Sequence, residues 1–124
     1  MSHVTIQAIG RVVLLRWKDI LNGEAPLPDE VMRFAQSRKA RFLVLDTTAA
    51  PFADSDGLRW LFKMRELSIP FRIAARPGGM IWRALKMFGL DHELYGSVRG
   101  ACRAPWGTPH AHTPRRSPRR LVAA

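Results

Sequence analysis

The spacing of apolar residues changes several times along the chain, and each change marks an element. "VTIQAI" (4–9) and "RVVLLRW" (11–17) read as two strands, with Gly10-Arg11 as the turn between them. "DILNGEAPLP" (19–28) breaks the pattern and reads as a loop. Helical spacing begins at Pro28, where Leu27, Val31, Phe34 and Ala35 fall on one face. Proline suits the first helical position, and Asp29 and Glu30 suit the positive end of the helix dipole. "ARFLVLDTT" (40–48) is a continuous apolar run of strand length, the pattern of a strand buried on both faces.

The second half alternates in the same way. A helix follows Ser55, with Arg59, Lys63 and Glu66 on one side and Leu58, Leu61 and Phe62 on another. In "PFRIAAR" (70–76), Phe71, Ile73 and Ala75 share one face, while Arg72, Ala74 and Arg76 share the other, which is predicted to be wet. "GMIWRALKMF" (79–88) predicts a third helix that buries Ile81, Ala84, Leu85 and Phe88. It stops at Gly89, a natural left-handed C-terminal position, with Leu90 as its apolar follower. "ELYGSV" is a weak last strand, and "RGACRA" is suited to a short C-terminal helix. The order ββαβαβαβ predicts an α/β domain with a mixed, largely parallel sheet: alternation with helices makes it parallel, and the opening hairpin makes it mixed. The chain has no internal repeat.

Charge divides the chain. Residues 1–98 hold 14 of the 20 Lys and Arg and all 10 acids, whereas the last 26 residues hold six Arg and no acid. With four prolines and few apolar residues, this end is a poor candidate for packing. The expected organisation is one domain over residues 1–102 and a basic, Pro/Arg-rich flexible tail over 103–124. Removal of the residues after Ala104 is then predicted to leave folding stability nearly unchanged. Its stretch "TPRRSPRR" (113–120) could meet nucleic acid or another acidic surface through charge alone, although that stretch has no interleaved aromatics to stack bases.

Composition also narrows the chemistry. Cys102 is the single cysteine, which excludes an internal disulfide and suits a reducing compartment. "VVLL" and "FLVL" fall far short of the ~20 apolar residues of a membrane span. "MSHVTIQAIG" lacks the basic region and apolar core of a signal peptide, so no membrane insertion and a cytoplasmic location are expected. His110 and His112 are too few for a closed metal site, and nothing places His92 near Ser55 as a catalytic base. "RPGG" (76–79) lacks the Lys-Ser/Thr ending of a phosphate-binding P-loop and reads as a turn before a helix. Trp60 and Trp82 read as core or partner-contact residues. No cofactor, no metal and no enzyme activity is expected.

The stretch "FLVLDTTAAPFADSDGLRWL" (42–61) concentrates Asp46, Asp54, Ser55 and Asp56 where a buried strand gives way to a helix. In α/β sheets, ligand and regulatory chemistry sits beyond the carboxyl ends of strands. Elementary chemistry gives these residues a capping role: Asp54 or Ser55 accepts free backbone N–H groups, and Asp56 adds a favourable charge in the first turn.

These residues resemble the signature of the STAS domain family, named for sulphate transporters and anti-sigma factor antagonists. An apolar strand ends in Asp46, a short loop follows, and "DSDGL" opens a helix; "GGMIWRALKMFGLDHEL" (78–94) resembles the family's third helix. The resemblance spans roughly residues 3–102. It implies a non-enzymatic regulatory domain of the anti-sigma factor antagonist kind, docking on an anti-sigma factor of the serine-kinase type. The implied contact comprises Asp54, Ser55, Asp56, Gly57 and Leu58. In the family's antagonists the residue before the Gly is the phosphorylated Ser or Thr; here it is Asp56, a fixed charge in the place of a switchable one. Ser55 matches the structural serine and is expected to cap the helix. A phosphoryl group carries roughly −1.5 to −2 charges and three acceptor oxygens, so a carboxylate imitates it only in part. Two readings of Asp56 stay open: a state locked as if phosphorylated, or a branch that binds partners without this switch. Other functions compatible with the sequence are an accessory STAS subunit contacting the ATPase of an ABC-type transport system, a charge-driven nucleic-acid-binding protein, and a nucleotide-binding regulator using the loop after "PFRIAAR".

Overall fold

The computed structural model describes residues 4–106. Five strands form one sheet in sequential order, β1 (Val4–Ile9), β2 (Val12–Trp17), β3 (Phe42–Asp46), β4 (Phe71–Ala74) and β5 (Leu94–Tyr95). The β1–β2 hairpin is antiparallel, and the β2–β3, β3–β4 and β4–β5 pairs are parallel. The parallel pairs are joined through α1 (Pro28–Ser37), α2 (Ser55–Arg65) and α3 (Met80–Met87), and α4 (Val98–Arg103) follows β5. The expected mixed, largely parallel α/β architecture is therefore present. Right-handed crossovers that always step in the same direction put α1, α2 and α3 on one face of the sheet. Between them lies the main core. Val13, Leu15, Leu43, Leu45 and Ile73 meet Val31, Leu61, Met64, Ile81 and Leu85, each worth about 1.5–3 kcal/mol when fully buried.

The other face of β4 is dry, not wet as the alternation suggested. Ala74 packs with Leu14, Val44 and Ala101 in a second, smaller core under α4. Arg72, at 8% exposure, lies in the same layer. Its guanidinium donates to the carbonyl oxygens of Ala101 (2.9 Å), Ala104 (2.6 Å) and Pro105 (2.7 Å). It also lies 3.7 Å from the ring centroid of Trp106 and 4.9 Å from that of Tyr95. A cation beside the carbonyl end of α4 faces the negative end of that helix. A strand-borne arginine thus acts as the C-terminal cap of a helix about 30 residues away in sequence.

Two helix faces also differ from expectation. Leu27 is 64% exposed because it is the N-cap of α1, in extended conformation. Its backbone N–H is met by the Glu30 carboxylate at 3.0 Å, which closes the first turn. Phe88 is 50% exposed: α3 ends at Met87, so Phe88 has left the helical register and stacks edge-on against Phe62. Gly89 takes φ +80 and Leu90 is buried, as the Gly-Leu ending predicted.

The expected boundary between residues 102 and 103 falls inside α4, and packing continues to Trp106, whose ring stacks on Phe42 at 4.4 Å. The rest of the expected tail, 107–124, lies outside the described residues. Truncation after Ala104 therefore removes a packed aromatic ring and one of three acceptors of a buried cation. It is expected to lower the free energy of unfolding by about 2 kcal/mol, from the lost ring contacts and hydrogen bond together. Urea unfolding of chains ending at 104 and at 106 would measure it; equal midpoints would refute it.

Candidate functional site

The carboxyl ends of β2 and β3 and the N-terminus of α2 meet at one corner of the sheet. Two connections are laced together there. Leu21, after β2, donates its N–H to the Phe52 carbonyl (3.1 Å), and its own carbonyl accepts from the Asp54 N–H (3.1 Å). Leu21 and Ala53 form an isolated parallel bridge, so the chain entering α2 runs as a short extension beside Leu21. The loop before α2 is held by backbone at both ends before any side chain acts.

Asp54 is the N-cap of α2. Its backbone is extended, and Oδ1 accepts the Gly57 N–H at 2.8 Å. The capping residue is Asp54 and not Ser55: Ser55 is already the first helical residue, with its side chain exposed. Its helical backbone turns the hydroxyl away from the N–H groups that a cap must reach.

Gly57 explains the glycine of the motif. It is buried against the carbonyl of Leu21, and a Cβ there would stand 2.0 Å from Leu21 O and 2.6 Å from its carbonyl carbon. No side chain fits between the first turn of α2 and that backbone. Leu58 is half-buried and packs against the main core, whereas the next turn buries Trp60, Leu61 and Met64. Trp60 is a core residue: it meets Trp17 edge-on at 5.2 Å and donates Nε1–H to the Pro26 carbonyl at 2.6 Å, tying α2 to the β2–α1 loop.

Asp56 points outward. Its Oδ1 receives Arg59 Nη1 at 2.7 Å across one turn, and the two side chains are 62% and 64% exposed. Such an exposed pair contributes little to stability, about 0.2–1 kcal/mol. A Cβ at Gly23 would lie 3.4 Å from Asp56 Cβ, so the β2–α1 loop borders this side chain.

Asp46 does not join this group. It lies on the α4 side of the sheet at 4% exposure. Its carboxylate accepts from Arg16 Nε (2.9 Å), the Thr48 N–H (2.9 Å) and Thr48 Oγ1 (2.6 Å). Those bonds turn the chain out of β3, and Thr47 Oγ1 adds a bond to the Ala74 carbonyl at 2.8 Å. Asp46 is thus a hinge post of the loop and carries no free carboxylate toward α2. Cys102 lies in the α4 layer, where burial, then the charge of Asp46, pushes its thiol above the ordinary range against the opposing pull of Arg16 and Arg72. It is held as a thiol and is a poor nucleophile at neutral pH.

Among the described residues, no group of three or more His, Cys, Asp or Glu is placed to hold a metal ion, and no helix is long and apolar enough to cross a membrane. A shallow depression lies between the β3–α2 loop and the start of α3, lined by Thr47, Pro51, Arg76, Met80 and Trp82. Sequence reasoning found the helix start but missed Leu21, Gly23 and Arg59. Leu21 and Gly23 meet α2 only through contacts more than 30 residues apart, which leave no local signal. Arg59 was legible as an i, i+3 partner of Asp56.

No family model matches the sequence, and no curated protein matches it. Among solved structures, the chain is similar to an anti-sigma factor antagonist from Mycobacterium paratuberculosis. The two share 22% identity over 80% of this chain and 89% of that one, with a TM-score of 0.65. It is also similar to the anti-sigma factor antagonist SpoIIAA in its unphosphorylated form, with 12% identity over 80% of this chain and 93% of that one, and a TM-score of 0.56. The fold is STAS-like, that of the anti-sigma factor antagonists.

Proposed function

We propose that this chain, with the fold of anti-sigma factor antagonists, is a non-enzymatic regulatory domain that docks on an anti-sigma factor of the serine-kinase type. The docking surface is the start of α2, Asp54 to Leu58, and Asp56 occupies the position of a phosphoacceptor. The observation that carries this reading is the division of labour along "DSDGL". Asp54 is spent on the cap and Gly57 on the contact with Leu21, while Asp56 is presented to solvent, paired with Arg59 and bordered by the loop at Gly23. A residue in that place can meet a partner, and its negative charge is one of the properties that a phosphoryl group would supply. Arg59 offsets part of that charge, which weakens the likeness to a phosphate further.

The test is Asp56→Ser. Stability should fall by no more than about 1 kcal/mol, the worth of an acid in a helix first turn. A serine-kinase anti-sigma factor should phosphorylate the serine variant and leave the natural protein unmodified. Docking, measured by titration calorimetry against the same partner, should tighten by roughly tenfold on removal of the charge, about 1.4 kcal/mol. Equal or weaker docking of the serine variant would show that Asp56 serves the contact itself or only the helix, and the locked-switch reading would fall.

A further inference from the structure

The two edges of the sheet are built differently. β5, at one edge, is two residues long, and so short a strand gives another chain little to pair with. β1, at the other, runs for six residues, "VTIQAI", with no charge and no proline. Its register against β2 is unbroken, so no bulge turns the edge away from a second strand. Val, Ile and Thr supply four of the six residues and favour extended backbone. Among the described residues no strand lies on the outer side of β1. The hairpin closes through Gly10, at φ +60, and Arg11, with Ile9 opposite Val12. In a hairpin with a two-residue turn the flanking pair is hydrogen-bonded, and such pairs alternate along the strand. Thr5, Gln7 and Ile9 therefore turn their backbone groups to β2, whereas Ile6 and Ala8 turn theirs outward. The side chains divide by face. Ile6 packs against the main core, while Gln7, in register with Leu14, lies with Thr5 and Ile9 on the α4 side, all three exposed. Ile9 is 52% exposed.

We infer that β1 is an interface for a second copy of this chain: the two β1 edges pair antiparallel about a two-fold axis at Gln7, joining both sheets into one. In this register Ile6 exchanges both backbone hydrogen bonds with Ala8 of the second copy, and Ala8 does the same with Ile6, so the outward groups of both residues are satisfied. On the helix side each Ile6 meets an alanine methyl. On the other face Gln7 stands opposite Gln7, where each amide both donates and accepts, and Ile9 is covered by Thr5 of the second copy. A second copy fits better than a foreign strand. The strand is its own complement in this register, and it carries no charge by which to select an acidic or basic peptide. The pairing also closes at two copies, because β5 is too short to extend the sheet from its other edge. A contact made by one pair of strands is small beside the ~1,200–2,000 Å² of stable interfaces, so the dimer is a reversible one.

The experiment is sedimentation equilibrium of the full chain across the micromolar and submillimolar range. A concentration-dependent monomer–dimer equilibrium is expected. Each copy carries a formal charge of +10, whereas the paired strands are neutral. Raising salt from about 0.1 to about 1 M shortens the screening length from ~10 to ~3 Å, so the dimer should tighten severalfold. Gln7→Lys and Gln7→Glu each place like charges opposite one another at the axis, and each should weaken self-association by about fivefold at the lower salt. An equal mixture of the two variants places Lys opposite Glu and should restore association at least to the natural level. That rescue separates pairing at the axis from any effect on the fold, and thermal unfolding of dilute samples should be unchanged because Gln7 is exposed. A chain that stays monomeric at every concentration would overturn the inference and leave the edge to a strand of another protein. So would association that weakens as salt rises, association that neither Gln7 variant alters, or a mixture that fails to restore it.

Discussion

Gly57→Ala is expected to destabilise the protein by about 3 kcal/mol, the upper end of the cost of forcing a side chain into filled space. The sign is the informative part. In an ordinary helix interior, alanine is favoured over glycine by about 1 kcal/mol, so the same substitution at an unobstructed helix position would stabilise. Here the added methyl meets the Leu21 carbonyl oxygen at 2.0 Å, and that carbonyl is already fixed by the Asp54 N–H. Neither side can yield cheaply. Moving α2 outward pulls either Asp54 off the Leu21 carbonyl or Gly57 off the Asp54 cap, and moving Leu21 breaks its bonds to Phe52 and Asp54. Denaturant unfolding would measure the loss. Hydrogen exchange should show it concentrated in the first turn of α2 and around Leu21 if the loop yields before the whole domain does. An alanine variant as stable as the natural protein, or more so, would mean that α2 does not sit on Leu21.

Arg72→Met is expected to cost a similar amount, about 3 kcal/mol, although it removes no salt bridge. Methionine keeps much of the aliphatic stem. What disappears is a charged donor that serves the carbonyls of Ala101, Ala104 and Pro105, and a cation lying against Trp106 and Tyr95. Burial lowers the pKa of this guanidinium, but it starts so high that it stays charged at neutral pH. The carbonyls it leaves are at the end of a six-residue helix with few other means of closing. Arg72→Lys should recover only part of the loss, because one ammonium cannot present a fork to three oxygens. Urea unfolding of the three forms, read alongside Trp fluorescence, would decide it. A methionine variant within about 0.5 kcal/mol of the natural protein, the spread of an ordinary surface substitution, would remove Arg72 from its role as the cap of α4.

Both predictions come from places where local reading was incomplete. Gly57 was legible as part of a motif, but the reason for it is a carbonyl 36 positions earlier that no periodicity exposes. Arg72 alternates with apolar neighbours in the pattern of a wet face, because an arginine in a strand normally marks solvent. Ser55 and Asp54 are equally good caps by residue type. The backbone conformation at Asp54 chose between them.

What the sequence determined by itself is the order and kind of the elements. Alternating and helical spacings, Pro28 at the start of α1 and Gly89-Leu90 after α3 act within a few residues, so they are written where they act. The sheet follows from them, since helices between strands force parallel pairing and right-handed crossovers send α1, α2 and α3 to one face. What only the tertiary structure decided is what covers the other face and which polar groups are left over. Six residues of α4 and the ring of Trp106 turn the Arg72 face into a second core. Asp46 is bound to Arg16 and Thr48, Asp54 to Gly57, and Asp56 is left outward beside Arg59. Three acids that look alike in the sequence are separated by their partners, because burial and hydrogen bonding depend on which distant backbone arrives beside each one, and a local pattern carries no record of that.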